Sequence, residues 1–157
     1  MCSVPQGGDW LDEQIAKEFG DTLLDDAGEP ILDLPKGESR RRAFDGLLNV
    51  PTSNTERFLA SLHRDLLYAL IRSATFTLAS LPRALEIPQP LPLVVVGGVA
   101  RIAGFEGLLR QAFDLARFPL SIGEIQFANK HDFTVARGCL ISAQLESDVR
   151  SAQIHAA

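Results

Sequence analysis

LPLVVVGGVARIAGF, residues Leu91 to Phe105, sets four apolar and mostly β-branched residues, Leu93 to Val96, directly before the glycine pair Gly97-Gly98. Gly104 then leads into the amphipathic run FEGLLRQAFDLA. The order is that of a buried strand, a turn of bare backbone and a helix. A glycine pair behind a parallel strand lets a flat or anionic group approach the main chain, and the next helix start offers unpaired N–H groups. The same spelling also serves a tight strand-to-helix connection that holds no ligand.

Downstream, Leu108, Leu109, Ala112 and Phe113 line one side of a helix expected over Phe105 to Ala116. Phe118 to Phe127 reads as the second parallel strand with its exit, and Asn129 to Asp132 as a polar turn. Asp132 is placed to cap a last helix running from Phe133 to about Val149. That helix carries Ala136, Gly138, Ser142 and Ala143, small residues that allow close approach to a neighbour.

Upstream, Pro82, Pro88, Pro90 and Pro92 make a stiff connector. Before it comes the longest helical pattern of the chain, TERFLASLHRDLLYALIRSATFTLASL, opened by capping residues in Pro51 to Asn54. Phe58, Leu59, Leu62, Leu66, Leu67, Leu70, Ile71 and Leu78 recur in it at helical spacing, the mark of a core helix. His63 has no His, Cys or Ser at a catalytic spacing and reads as a packed or surface histidine.

Near the start, Gly7-Gly8 precedes Asp9, a natural cap for a helix lined by Trp10, Leu11, Ile15 and Phe19, while Asp12 and Glu13 suit the helix dipole. Gly20 to Leu34 breaks into two short apolar segments about Asp25-Asp26-Ala27-Gly28-Glu29-Pro30, which predicts a small hairpin or irregular excursion. Asp25, Asp26 and Glu29 lack the spacing of a calcium loop, so no metal site is assigned. Lys36 to Leu48 reads as a short helix starting near Glu38 or Ser39, with Ala43, Phe44, Leu47 and Leu48 as its apolar side.

A chain of 157 residues with 46% hydrophobic content can bury one ordinary core. The net charge of -5 argues against a nucleic-acid partner held by counterion release, and Arg40-Arg41-Arg42 reads as a solvated helix face. Cys2 and Cys139 are too few and too far apart for a disulfide framework or metal site. No apolar run is long enough to cross a bilayer and the first residues do not form a signal peptide, so a soluble, cytoplasmic protein is expected.

VVVGGVARIAGFEGLLRQAF resembles the adenosine-binding signature of the actin and Hsp70 ATPase superfamily, in which a strand ends in Gly-Gly before a small residue, an Arg, a bulky apolar residue and Gly-Phe. GGDWLDEQIAKEF, at Gly7 to Phe19, is similar to the Gly-Gly-acidic opening of the first helix in that superfamily's C-terminal lobe. ARGCLISAQ, at Ala136 to Gln144, is similar to its closing helix. The resemblance implies an α/β fold, a partial ribonuclease H-like, actin-like ATPase C-terminal lobe with few parallel strands packed by helices. It spans residues 1–150, with an unmatched insert at about 21–54, and leaves 151–157 as a frayed tail.

The same resemblance implies ATP or ADP as ligand. Gly97, Gly98, Arg101 and Gly104 would flank adenine and ribose, Glu38 with Arg41 or Arg42 would hold the ribose and stack over the base, and Gly7 and Gly8 would lie on the phosphate side. An enzyme of this kind also needs Asp-Gly phosphate loops and a residue that orients the attacking water, and neither motif occurs here. The expectation is therefore a nucleotide-binding lobe, chaperone-like or cytoskeletal-like, that does not hydrolyse ATP alone and would use Mg2+ only with a missing N-terminal half. That half or a protein partner would cover the open sheet edge. Two other readings stay open: a non-catalytic interaction or assembly module derived from the fold, and a different α/β domain using the glycine turn for another small ligand.

Overall fold

The computed structural model describes residues 3–80, 89–128 and 136–145. The chain is a mixed α and β fold. Helix α1 (Gly8–Phe19) is followed by an antiparallel hairpin, β1 (Thr22–Leu24) and β2 (Pro30–Leu32), then α2 (Leu34–Arg42) and the long α3 (Asn54–Ala79). Strand β3 (Leu91–Val95), α4 (Phe105–Leu115) and β4 (Ile122–Phe127) complete a parallel strand–helix–strand unit. Residues 136–145 form a further helix, α5.

The strand order is as expected. β3 and β4 pair in parallel with Leu93 opposite Ile125 and Val95 opposite Phe127, and Ala128 N donates to Val95 O at 2.9 Å just past the ladder. The hairpin adds nothing to this sheet and forms a separate one. Both β3 and β4 therefore keep an open edge among the described residues, and Val94 and Val96 project from the uncovered face at 61% and 47% exposure.

The core lies on the other face. Leu108, Leu109, Ala112 and Phe113 of α4 are buried against Leu59, Leu66, Leu67 and Ile71 of α3, and Ile125 closes the cluster from the sheet. Phe105 meets the Phe127 ring edge-on, with centroids 6.3 Å apart. Leu11 and Ile15 bring α1 into the same core. The α4 stripe is the one its spacing predicts, while Leu70 of the stripe predicted for α3 and Phe19 of that predicted for α1 are each 38% exposed.

Four local expectations are corrected. Asp9 is not the cap of α1: the helix begins at Gly8, Gly7 takes the cap position without a side-chain bond, and Asp9 falls in the first turn. The helix expected over Lys36 to Leu48 instead runs Leu34 to Arg42, because Asp33 caps it through Lys36 N at 2.9 Å. Beyond Arg42 the Asp45-Gly46 pair breaks the pattern, and the segment is drawn across to the glycine loop, where Leu48 N donates to Ala103 O at 3.0 Å.

The small residues of α5 meet no neighbour among the described residues: Ala136, Gly138, Ser142 and Ala143 are exposed, and a Cβ on Gly138 would find nothing within 4 Å. Last, β3 starts at Leu91 and stops at Val95, one residue short of the predicted end. Pro82, Pro88, Cys2, Asp132 and the 151–157 tail lie outside the described residues.

Two buried titratable groups make the fold sensitive to acid. Asp21, 3% exposed, accepts hydrogen bonds from Arg40 and an ion pair from Lys36 Nζ at 2.7 Å, and Arg40 in turn stacks 4.5 Å over the Phe19 ring. The Arg40 bond first, then that from Lys36, hold its carboxyl at about 2, well below the ordinary 3.8. A depressed carboxyl stabilises the fold above the unfolded value, and that contribution disappears as pH falls from about 4 to about 2. Urea unfolding of Asp21→Asn is expected to show a shallower loss of stability across that window than the parent, and an unchanged slope would contradict the assignment.

His63 is fully buried, with Nδ1–H donating to Leu59 O at 2.7 Å and Nε2 unpartnered among the described residues. Burial pushes its pKa below 6.5, with the Arg41 charge acting in the same direction. The unfolded chain therefore takes up a proton that the folded chain refuses, so stability falls as pH drops below 6.5, with a slope of up to one proton. His63→Leu should remove this part of the slope between pH 7 and pH 5.

Candidate functional site

β3 delivers the chain to Gly97, whose φ of 131° suits glycine and few other residues. The backbone then turns through a short 3-10 helix, Gly98 to Arg101. A Cβ added at Gly97 or Gly98 would find nothing within 4 Å, so the corner at the strand end is open.

Three elements meet around that corner. A Cβ built on Gly8 would lie 3.8 Å from both Arg41 Nη2 and Val99 Cγ2, which places the start of α1 between α2 and the glycine turn. The three enclose a cleft of about 790 Å³. Gly8, Glu38, Arg41, Arg42, Gly98 and Arg101 line it, so six of the nine residues singled out from sequence come together there. Phe44, Val99, Ile102 and Ala103 supply its apolar wall.

The remaining three stand apart from the lining. Gly7 is the cap position of α1 and Gly97 the hinge of the turn. Gly104, at a φ of 84°, packs against the strap from α2: an added Cβ would fall 2.8 Å from Leu48 N, 2.9 Å from Asn49 N and closer still to Asn49 Oδ1. Its bare backbone serves chain packing rather than the cleft.

The charges are arranged unequally. Arg41 is buried and held by Asp12, Nε to Oδ1 at 2.6 Å and Nη2 to Oδ2 at 3.0 Å, and that bond raises its already high pKa further. Arg42 is exposed and pairs with Glu38 at 2.6 Å one turn earlier. The acidic residue and its basic neighbour predicted at i,i+3 or i,i+4 are thus Glu38 and Arg42, while Arg41 points to a different carboxylate. Such a cleft can receive a flat group against its apolar wall and an anionic group beside its guanidinium groups.

From the sequence, Phe44 belongs to an apolar helix side and Asp12 to the dipole partners of α1. The Asp45-Gly46 pair, which follows the end of α2 at Arg42 and disfavours its continuation, is the available signal for the first. No local signal marks the second, since Asp12 and Arg41 are 29 residues apart.

Elsewhere, a groove of about 550 Å³ between the end of α4 and the start of β4 contains none of the predicted residues. Among the described residues no group of three or more His, Cys, Asp or Glu side chains is arranged to hold a metal ion. Asp25 Oδ1 instead accepts from Ala27 N and Glu29 N, both at 2.9 Å, and closes the hairpin turn. No helix among these residues is long and apolar enough to cross a membrane. A protein-family model described as Volactin matches residues 1–143. No curated protein and no solved structure matches the chain.

Proposed function

We propose that this chain, which belongs to the Volactin family, binds an adenine nucleotide, ATP or ADP, in the cleft between α1, α2 and the glycine turn, and does not hydrolyse it alone. One observation carries the reading: six residues selected from three separate stretches of sequence converge on a single cleft. Its volume of about 790 Å³ lies within the roughly 300–1,000 Å³ of small-molecule sites. The residues fit the ligand: the open backbone at Gly98 admits a flat base, Phe44 and Ile102 offer it apolar cover, and the Glu38 carboxylate can accept from ribose hydroxyls. The actin-like and Hsp70-like ancestry of the lobe belongs to the same proposal.

Calorimetric titration of the chain with ADP tests it. Saturable one-to-one binding is expected, and heats of dilution only would contradict it.

A second reading, assembly with a protein partner across the sheet face left uncovered among the described residues, has its own support. Val94 and Val96 are exposed on the sheet, and Leu140, Ile141 and Leu145 on α5 are 58%, 53% and 60% exposed. Nucleotide binding and assembly are compatible in one chain, since the cleft and the exposed valines use different surfaces.

A further inference from the structure

Arg41 lines the cleft yet is only 7% exposed, and one edge of its guanidinium is already engaged. Nε and Nη2 form a side-on fork to the two oxygens of Asp12, itself 5% exposed. The opposite edge, Nη1 with the outer hydrogen of Nη2, is not used by Asp12. Asp9 and Glu38 also act on Arg41 through their charge, but Asp12 is the carboxylate hydrogen-bonded to it.

A guanidinium fixed in this way differs from its neighbour Arg42. Arg42 is 73% exposed, so its pairing with Glu38 is screened by water and its side chain must be ordered before it can hold a ligand. Arg41 is already ordered, planar and forked, the geometry that matches two oxygens of a phosphoryl group. A Cβ built on Gly8 would lie 3.8 Å from Nη2, so the bare glycine leaves that space beside the guanidinium unfilled.

We propose that Asp12 is a positioning residue: it clamps the Arg41 guanidinium so that the free edge receives a phosphoryl group of the nucleotide beside Gly8. The cleft thereby prefers a nucleoside phosphate to the nucleoside. This rests on the nucleotide reading of the cleft, and it sets Arg41 on the phosphate side rather than over the base.

Calorimetric titration of the full chain with ADP and with adenosine, repeated on Asp12→Asn, separates the possibilities. The parent is expected to prefer ADP by about tenfold or more. Asp12→Asn should bring that ratio close to one while adenosine affinity is kept, a change that a merely structural carboxylate would not produce. An unchanged ratio in folded Asp12→Asn, or an equal loss of both ligands, overturns the inference.

Where circular dichroism shows Asp12→Asn unfolded, Arg41→Lys decides the question, because it keeps the charge and loses the fork. A ratio near one then supports the inference and an unchanged ratio overturns it. A parent chain that binds both ligands without preference removes this inference alone. One that binds neither removes the nucleotide reading as well.

Discussion

Gly37→Ala is expected to cost the fold about 3 kcal/mol or more, because overpacking at a rigid contact sits at or above the usual 1–3 kcal/mol range. Gly37 lies in α2 where it crosses α1, and a Cβ there would fall 3.0 Å from Asp12 C and 3.3 Å from Asp12 Cα, with the carbonyl oxygen nearer still. The opposing atoms are helix backbone and cannot swing aside as a side chain would. The two helices must part, and the Asp12–Arg41 pair between them parts as well.

Against a total of about 5–15 kcal/mol, such a loss is large. It corresponds to a fall in Tm of roughly 6–12 °C for a domain of this size. Thermal unfolding followed by circular dichroism measures it, and a variant melting within about 2 °C of the parent would contradict the close helix crossing.

Gly98→Val is expected to do the reverse, leaving the fold intact and removing the ligand. Its Cβ position is empty to 4 Å and its backbone is ordinary, so the valine side chain has room in the free protein. The room it takes is that of the cleft, which Gly98 lines. The affinity for ADP should drop by at least about 100-fold, equivalent to ~2.7 kcal/mol, with Tm unchanged. Unchanged affinity in a folded Gly98→Val chain would place the ligand elsewhere.

Those two glycines show what a sequence can and cannot disclose. Gly97-Gly98 stands behind a run of β-branched residues, so its role at a strand end was legible from neighbours in the chain. Gly37 sits inside a polar stretch, LPKGESRRR, and its necessity comes from a helix some 25 residues upstream that no local pattern describes. The same division holds for charge. Spacing pairs Glu38 with Arg41 or Arg42 equally, and the run Arg40-Arg41-Arg42 reads as a solvated face, whereas Arg41 is buried and Glu38 pairs with Arg42. The fold gives the three different partners, Asp21 to Arg40, Asp12 to Arg41 and Glu38 to Arg42.

Periodicity served the long elements well. α4 buries the stripe that its spacing predicts, α3 buries Leu59, Leu62, Leu66, Leu67 and Ile71 of its own but leaves Leu70 exposed, and the hairpin follows from Asp, Gly and Pro between two short apolar runs. Boundaries were less legible where tertiary contacts outrank propensity. Residues 43–48 have a helical apolar pattern, yet Leu48 is drawn off to cap the loop at Ala103 and Phe44 to wall the cleft. The small residues of α5 have the pattern of a packing face, but their sequence does not say which surface they meet.

The most direct test of the cleft is a titration of isotopically labelled protein with ADP, followed through backbone amide shifts. The account predicts that the amides of Gly8, Gly98, Val99 and Arg101 move together and saturate at one ligand per chain. No movement at these four, or movement confined to the groove from Arg110 to Ile122, would contradict it.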